Sequence, residues 1–447
     1  REEIARLSRE LSRAGAAEAP DSAELGRLTA SKDGAERRLV AGLAATSAAV
    51  AWGEPVDLER VRAALGPKAA ALSYTSVAGK AGEAVRVAAF VLRAGAPTRI
   101  VDLGSQAAIE EAVLAWRQAL GTEGSPAQSP QLQQSCGEAL RKLVFDPLRE
   151  TLQGAMQLFI AQDGALNLIA IDALPDAAKV LGDSYSVICV PSLAVLAAGA
   201  PRRECAREVV LIGGLDYGAG SLALLAGSGA EVDRLAEVYR GSKRSVRVLR
   251  QRDASRETFA ALMAEAGILH IATHGELSPI SVAWESNQRS PARGLSALAA
   301  AQTLRELSPL ALCGLALSGA NEKNESGERE GFVRGIELAS MDASRCELVV
   351  LSACDTRAGV ERPGLAVASL EKAMHLAGAR AVLASLWQVD DAQSRELMVE
   401  FHRGLVESGL SPAQALWRAK NLLRSRRAPL RAWAGWVLSS TDAGKLE

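Results

Sequence analysis

Two predicted strands end on residues that can do nucleophilic chemistry. The run ILHIATHG ends on His274 and Gly275, and the run ELVVLSACDT ends on Cys354 and Asp355, eighty residues further along (354 − 274 = 80). A cysteine thiolate can attack a carbonyl carbon while an imidazole relays protons to the leaving amine. An imidazolium nearby also lowers the pKa of a thiol. Cys354 and His274 are therefore candidates for such a thiol–imidazole pair, on the condition that the fold brings the two strand ends together.

The oxyanion formed by such an attack needs fixed N–H donors. Gly275 has no side chain to obstruct its backbone N–H, so we expect this group and the backbone N–H of Cys354 to form an oxyanion hole. Asp355 has two interpretations. It favours Arg or Lys in the substrate pocket through a charge-assisted hydrogen bond, or it bonds local backbone.

Both strands lie in a part of the chain where apolar runs alternate with helical patterns. The runs are 208–214, 246–250, 268–274, 309–319, 347–354, 381–387 and 436–440. Continuous apolar strands with crossover helices predict an α/β fold with a mostly parallel sheet flanked by helices. Reactive groups in such sheets gather beyond the carboxyl ends of the strands. If the two strands are neighbours, the thiol and the imidazole meet at one sheet edge.

Local signals mark the ends of several helices. Ser255 is a predicted N-cap, and Gly267 and Gly378 are predicted to end helices. Asp390 and Asp391 are interpreted as caps of the helix that follows them.

Three zones divide the chain. Residues 1–70 read as amphipathic helices that pack or link, and 71–203 are rich in strands but contain no His. We expect two hairpins in that second zone, RVAAFVLRAG with TRIVDLG and MQLFIA with LNLIAI, and a helix at about 107–120. Residues 204–447 carry the chemistry. Because the sequence begins REEIARLSRE without Met, we expect it to be part of a longer protein.

The other histidines have simpler interpretations. His270 and His274 share a face of one strand but lie about 13 Å apart, too far to bind one metal ion. His270 is therefore expected to be a packed or supporting residue, and His375 and His402 to be structural residues of helices. The glycines of LIGGLDYGAGS lack the spacing of a nucleotide-binding loop. We predict no metal and no cofactor.

Composition excludes some classes of partner. Lys+Arg 51 against Asp+Glu 52 gives a formal net charge of -1, which provides no bulk attraction to nucleic acid or to an anionic membrane. The six cysteines show no CxxC spacing and mostly lie in apolar runs, a pattern typical of a reducing cytoplasm. We predict neither a direct nucleic-acid partner nor a membrane partner.

The strings LHIATHGE and LVVLSACDT, with AGARAVLASLWQVDD and the closing PLRAWAGWVLSS, resemble the CHAT family of caspase-like cysteine peptidases, related to separase and gingipains. FDPLRETL, DGALNLIAIDALP and VICVPSLAVL resemble that family more loosely. The resemblance implies a caspase-like fold with an inactive half at 71–203 and a catalytic half at 204–447. It also implies that His274 and Cys354 are catalytic, with Gly275 and Cys354 as the oxyanion hole.

The resemblance further implies a protein substrate cleaved through an acyl-enzyme, and activity gated by a partner or by an upstream domain such as TPR repeats. The polar stretches SVAWESNQRSPARG and NEKNESGEREG exceed what the motif requires and are candidates for substrate loops, activation cleavage sites or partner contacts. The alternative is a non-catalytic CHAT-like scaffold, because fold alone does not establish proteolysis.

Overall fold

The computed structural model describes residues 57–79, 83–122, 126–198, 204–277, 313–324, 329–352, 370–387 and 389–441, together with residue 310 and isolated positions between 6 and 34. The predicted helical segment 1–70 is thus described mainly at its end, where a helix spans Leu58–Ala64. Asp57 caps that helix by accepting hydrogen bonds from the N–H groups of Glu59 and Arg60.

The strands, in chain order, are β1 (Ala69–Val77), β2 (Arg86–Arg93), β3 (Arg99–Ser105), β4 (Gln157–Ala161), β5 (Pro175–Asp176), β6 (Lys179–Val180), β7 (Ser186–Cys189), β8 (Glu208–Leu215), β9 (Val246–Gln251), β10 (Ala266–Ile271), β11 (Gly275–Leu277), β12 (Cys313–Ala316), β13 (Phe332–Arg334), β14 (Leu348–Leu351), β15 (Ala381–Ser385) and β16 (Trp436–Ser440).

The helices are α1 (Leu58–Ala64), α2 (Gln106–Leu120), α3 (Pro130–Val144), α4 (Ala194–Ala198), α5 (Ala226–Tyr239), α6 (Arg256–Glu265), α7 (Gly335–Leu338), α8 (Leu370–Ala377), α9 (Asp391–Val406), α10 (Pro412–Ser425) and α11 (Leu430–Trp433).

One sheet of eleven strands runs through the described residues, in the order β3-β2-β1-β4-β7-β16-β15-β14-β10-β8-β9. It is mostly parallel, with antiparallel pairs at β1–β2, β2–β3 and β15–β16. The predicted class, a mostly parallel sheet flanked by helices, is confirmed. Every residue of β10, β14 and β15 is buried, because helices cover both faces of the sheet there.

The apolar runs become strands largely as predicted. The hairpin of β2 and β3 forms, and α2 follows it at Gln106–Leu120. Ser255 caps α6 by accepting the N–H of Thr258, and Gly378 follows α8 with a φ of 110°. Asp390 caps α9 through the N–H groups of Ala392 and Gln393.

The second predicted hairpin is wrong. MQLFIA forms β4, but β4 lies between β1 and β7 and is parallel to both, so no hairpin partner has room beside it. LNLIAI instead forms short 3-10 turns whose apolar side chains enter the core. The buried amide of Gln162 stabilises these turns by donating to the carbonyls of Leu166 and Ile169.

Two further predictions need correction. Gly267 does not end a helix, because α6 ends at Glu265 and Gly267 lies within β10. A Cβ there would lie 1.8 Å from the carbonyl oxygen of Ala206, so close backbone approach requires the glycine. The run 309–319 contributes β12, which joins β11 and β13 in a small antiparallel sheet and not the parallel one.

Candidate active site

The two strands that lead to the predicted catalytic residues are neighbours. β10 and β14 are parallel, and Ile268 lies opposite Leu348 while Ile271 lies opposite Leu351. The ladder continues for one more hydrogen bond, from the N–H of Ser352 to the carbonyl of Ile271, at 2.9 Å. The condition set by the sequence, that these strands lie side by side, is met.

His274 lies just past the carboxyl end of β10 and is partly buried. Its Nε2 is 2.8 Å from the carbonyl oxygen of Ala223, in the loop between β8 and α5. A carbonyl only accepts hydrogen bonds, so Nε2 carries the proton and donates it. In the neutral ring this leaves the lone pair on Nδ1. A backbone carbonyl thus sets both the orientation and the tautomer of His274.

Contacts with Tyr217 and Thr273 hold His274 in place. The ring of Tyr217 lies 5.2 Å from that of His274, centroid to centroid. The hydroxyl of Tyr217 donates to Oγ1 of Thr273 at 2.8 Å, because Thr273 donates its own proton to the carbonyl of Ala316. Thr273 is fully buried, and the N–H of Ala316 donates to the carbonyl of His274 at 3.0 Å. These bonds fix the backbone that carries the imidazole.

Of the other predicted site residues, Gly275 belongs to the described part of the chain. Gly275 begins β11 and lies opposite Leu315 of β12. Cys354 and Asp355 lie outside the described residues, so the described chain reaches Ser352 and leaves the position of the thiol to a proposal.

A small cavity opens at the same edge of the sheet. Its volume is about 40 Å³, and its polar lining includes Glu231, Thr273, Ser352, Asp391 and Ser394. That volume is enough for two or three water molecules, since one needs about 10–15 Å³. The cavity is thus lined by Thr273, which precedes His274, and by Ser352, which lies two residues before Cys354. Its lining also includes two acidic residues, Glu231 and Asp391.

No pattern in the sequence points to Glu231, and the pattern around Asp391 predicts only a helix cap. Asp391 is the first residue of α9 and lies against the start of α5, where a Cβ at Gly227 would come within 2.7 Å of its Oδ2. A glycine at 227 therefore lets the carboxyl group of Asp391 reach the cavity.

A much larger cavity, of about 1050 Å³, lies at the other end of the same strands. Its lining includes Ile268 and Leu348, at the amino ends of β10 and β14. Reactive groups of parallel sheets gather at the carboxyl ends of the strands. We therefore assign the site to the smaller cavity, which lies at that end, and not to the larger one.

The remaining histidines have structural partners. His270 is fully buried, and its Nε2 and Nδ1 lie 2.8 Å from Glu231 and 3.2 Å from Nε2 of His402. Nδ1 of His402 lies 2.8 Å from the hydroxyl of Tyr239, which completes a buried chain of four polar side chains. Burial and the neighbouring His270 hold the pKa of His402 well below its usual value.

His375 is also buried, and it bonds the carbonyl of Ala379 and the hydroxyl of Ser439. His270 and His274 therefore point to different partners, Glu231 and Ala223, and do not share a site.

Two other cysteines of this part of the chain are poor nucleophiles. Burial raises the pKa of Cys313 to about 12 and that of Cys346 to about 12. A thiol with such a pKa carries almost no thiolate at neutral pH. Both are packed in the apolar core on the α6 and α8 side of the sheet.

Within the described residues, no group of three or more His, Cys, Asp or Glu side chains could hold a metal ion. The helices of the described segments include none that is long and apolar enough to cross a membrane.

The sequence model of the CHAT domain matches residues 134–441, more than half of the chain. The protein therefore belongs to the CHAT family. No curated protein sequence matches it.

The chain is similar in structure to the separase of Saccharomyces cerevisiae in its complex with securin, with 12% identity and a TM-score of 0.39. The match covers 98% of this chain and 27% of the separase chain, so this chain spans about a quarter of that relative. It is also similar to the Arg-specific cysteine proteinase gingipain R, with 9% identity, a TM-score of 0.38, and 75% and 74% of the two chains covered.

Proposed function

We propose that the protein is a cysteine endopeptidase with His274 and Cys354 as its catalytic pair. The observation that carries the proposal is the register of the two strands. The four residues from Ile268 to Ile271 of β10 lie opposite the residues 80 positions later in β14, and the same number separates His274 from Cys354. Neighbouring strands lie about 4.8 Å apart, so this register favours a close approach of thiol and imidazole beyond the strand ends.

The state of His274 suits the first chemical step. With its Nε2 proton donated to Ala223, the ring has its basic Nδ1 available to take the proton of the Cys354 thiol. The thiolate then attacks the carbonyl carbon of the scissile peptide, and the backbone N–H groups of Gly275 and Cys354 hold the oxyanion. His274 returns the proton to the leaving amine, and water hydrolyses the acyl-enzyme by the same route.

We propose that the small cavity marks where the end of the substrate side chain that precedes the scissile bond binds, since its volume of about 40 Å³ is too small for a whole Arg or Lys side chain. Its lining includes two acidic residues, Asp391 and Glu231, of which Glu231 is bonded to His270, together with the hydroxyl-bearing residues Thr273, Ser352 and Ser394. Such a lining favours a cationic side chain that can donate several hydrogen bonds, as Arg and Lys do. Asp355, next to the nucleophile, remains a second candidate for the same role.

The wider setting of the activity is also part of this proposal. The substrate is another protein, and an upstream domain or partner gates the enzyme in the cytoplasm, where an ungated protease would damage its host. Residues 71–203 act as a pseudo-protease half that completes the sheet, 204–447 as the catalytic half, and 1–70 as a helical link.

The test is covalent labelling with peptidyl acyloxymethyl ketones that carry Arg, Lys, Ala or Asp next to the reactive group. Intact-protein mass spectrometry of the wild-type protein should show a single adduct at Cys354. Cys354→Ala should show none, and His274→Ala should label at least a hundredfold more slowly. Asp391→Asn and Asp355→Asn, run as a matched pair, decide which carboxyl group selects the Arg probe.

Labelling that persists in Cys354→Ala contradicts the assignment of the nucleophile. Absence of labelling in the wild-type protein, alone and with candidate partners, favours the scaffold alternative. A preference for the Ala or Asp probe contradicts the proposed cationic pocket without touching the catalytic pair.

A further inference from the structure

We propose that Asn321 is a positioning residue that sets the orientation of His274 through the loop between β8 and α5, residues 216–225. This inference rests on the proposed catalytic role of His274. Asn321 does not touch the imidazole. It holds the stretch of backbone whose carbonyl receives the imidazole N–H.

The amide of Asn321 uses both its donors and its acceptor on this loop. Nδ2 donates to the carbonyls of Gly218, at 2.9 Å, and Leu222, at 3.0 Å. Oδ1 accepts the N–H of Leu222 at 3.1 Å. Both backbone groups of Leu222 are thus bonded to one side chain, and the next residue is Ala223, whose carbonyl lies 2.8 Å from Nε2 of His274.

Asn321 is itself fixed in place. Its backbone N–H donates to the carbonyl of Tyr217 at 2.8 Å, and the N–H of Gly319 donates to the carbonyl of Asp216 at 3.0 Å. The loop also makes room for the amide, since a Cβ at Gly220 would lie 2.6 Å from Cγ of Asn321. The two segments are therefore fitted to each other over several residues, and the amide is at the centre of the contact.

The chemistry of this contact requires an amide. Aspartate has the same size but offers only acceptor oxygens when ionised, so one of them would face the carbonyls of Gly218 and Leu222. The Asn321→Asp change keeps the shape of the residue and replaces two hydrogen bonds with repulsion. Alanine removes all three bonds and leaves the loop backbone to find other partners.

Ion pairs link the same two segments nearby and provide the control. Arg252 bonds Asp216 of the loop and Glu322, which follows Asn321. The side chains of these three residues are 51%, 42% and 41% exposed, so solvent screens the pairs. Glu322→Gln therefore weakens a connection between the segments while it leaves the amide contact intact.

The test measures the reactivity of Cys354 towards iodoacetamide, a reagent too small to need a substrate pocket. Second-order rates are measured from pH 4 to 10 by peptide mass spectrometry, on the full chain, for wild type, His274→Ala, Asn321→Asp, Asn321→Ala and Glu322→Gln. Labelling of Cys136, which lies on α3 in the first half of the chain, is the internal reference.

We expect the wild-type rate to stay high below pH 7, because an imidazolium stabilises the thiolate. Asn321→Asp and Asn321→Ala should lower the rate at pH 6 by about tenfold to a hundredfold and move the pH profile towards that of His274→Ala. Glu322→Gln should follow the wild type. The change in the pH profile distinguishes positioning from a general loss of stability, which thermal unfolding of each variant measures separately.

Each contrary outcome has a distinct meaning. If both Asn321 variants keep the wild-type profile while His274→Ala loses it, the positioning role is wrong and the catalytic pair stands. An equal shift in Glu322→Gln and Asn321→Asp overturns the specific role of the amide. If wild type and His274→Ala have the same profile, the proposed function itself fails.

Discussion

Two kinds of hydrogen-bonded contact connect side chains to the site. The first kind is a bond to a backbone carbonyl, as at His274, and the second is a chain of buried polar side chains. The chain Tyr239–His402–His270–Glu231 is an example of the second kind, since it ends on a carboxyl group that lines the small cavity. Every member is at most 4% exposed. Each donor and acceptor in such a chain is costly to leave without a partner, so the four side chains hold each other in one arrangement.

The depressed pKa of His402 makes stability depend on pH in a defined direction. In the folded protein burial keeps this ring neutral, whereas in the unfolded chain it takes up a proton below pH about 6.5. The unfolded state then binds more protons, so the free energy of unfolding should fall as the pH falls below that value, by up to about 1.4 kcal/mol per pH unit.

Urea unfolding of wild type and His402→Gln between pH 7.5 and 5.0 measures this dependence. The variant should lose less stability on acidification than the wild type does. Equal slopes in the two proteins would show that His402 is not the group responsible.

At the scale of elements, β10 does more than carry His274 at its end. It lies between β8 and β14, and its first residues meet the backbone that precedes β8. Gly267 allows this contact, with the carbonyl oxygen of Ala206 only 1.8 Å from where a Cβ would stand. The position of β10 along its own axis is therefore set at the end opposite to the site.

Gly267→Ala should lower the free energy of unfolding by about 3 kcal/mol or more, because backbone atoms on both sides must move. The control is Gly66→Ala, where no atom lies within 4 Å of the added methyl group and stability should change by less than about 0.5 kcal/mol. Chemical denaturation gives both values. A loss at Gly267 no larger than that at Gly66 would mean that the backbone adapts without cost.

For the whole molecule, a buried ion pair connects the first and last parts of the chain. Lys420 of α10 is fully buried, and its Nζ lies 2.5 Å from Oδ2 of Asp172, 248 residues earlier. Asp172 belongs to the 3-10 turns that follow β4. This ion pair therefore connects the turns after β4, in the first half of the chain, to α10 in the second half.

Lys420→Met should destabilise the protein by about 3–5 kcal/mol, since it leaves the carboxylate of Asp172 without its partner. The double variant Lys420→Met with Asp172→Leu should recover much of that loss, because no charge remains unpaired. Arg426→Met removes an exposed partner of Glu396 and should change stability little. A double variant no more stable than Lys420→Met would show that the contact is held by shape and not by charge.

Features that depend on short stretches of sequence can be predicted from the sequence, whereas features that depend on contacts between distant segments cannot. Strands buried on both faces, such as β10 and β14, read as continuous apolar runs, and the residues at their ends could be named directly. The run LNLIAI was misassigned because apolar residues enter a core equally well from strands and from tight turns. The carbonyl of Ala223 has no signature in sequence, since every residue has one. Asn321 bonds Leu222, which lies 99 residues earlier in the sequence, and only the fold brings these two residues together.

The position of β16 has a consequence for how the protein is made. β16 spans Trp436–Ser440, comes last of the sheet strands in chain order, and lies between β15 and β7 in the middle of the sheet. Until it has left the ribosome, β7 and β15 each present an open strand edge, and such edges invite pairing with other chains. Because β7 ends at Cys189 and β16 begins at Trp436, the edge of β7 stays without this partner while all the intervening residues are made. Pairing of β16 with both edges then joins the two parts of the sheet into one.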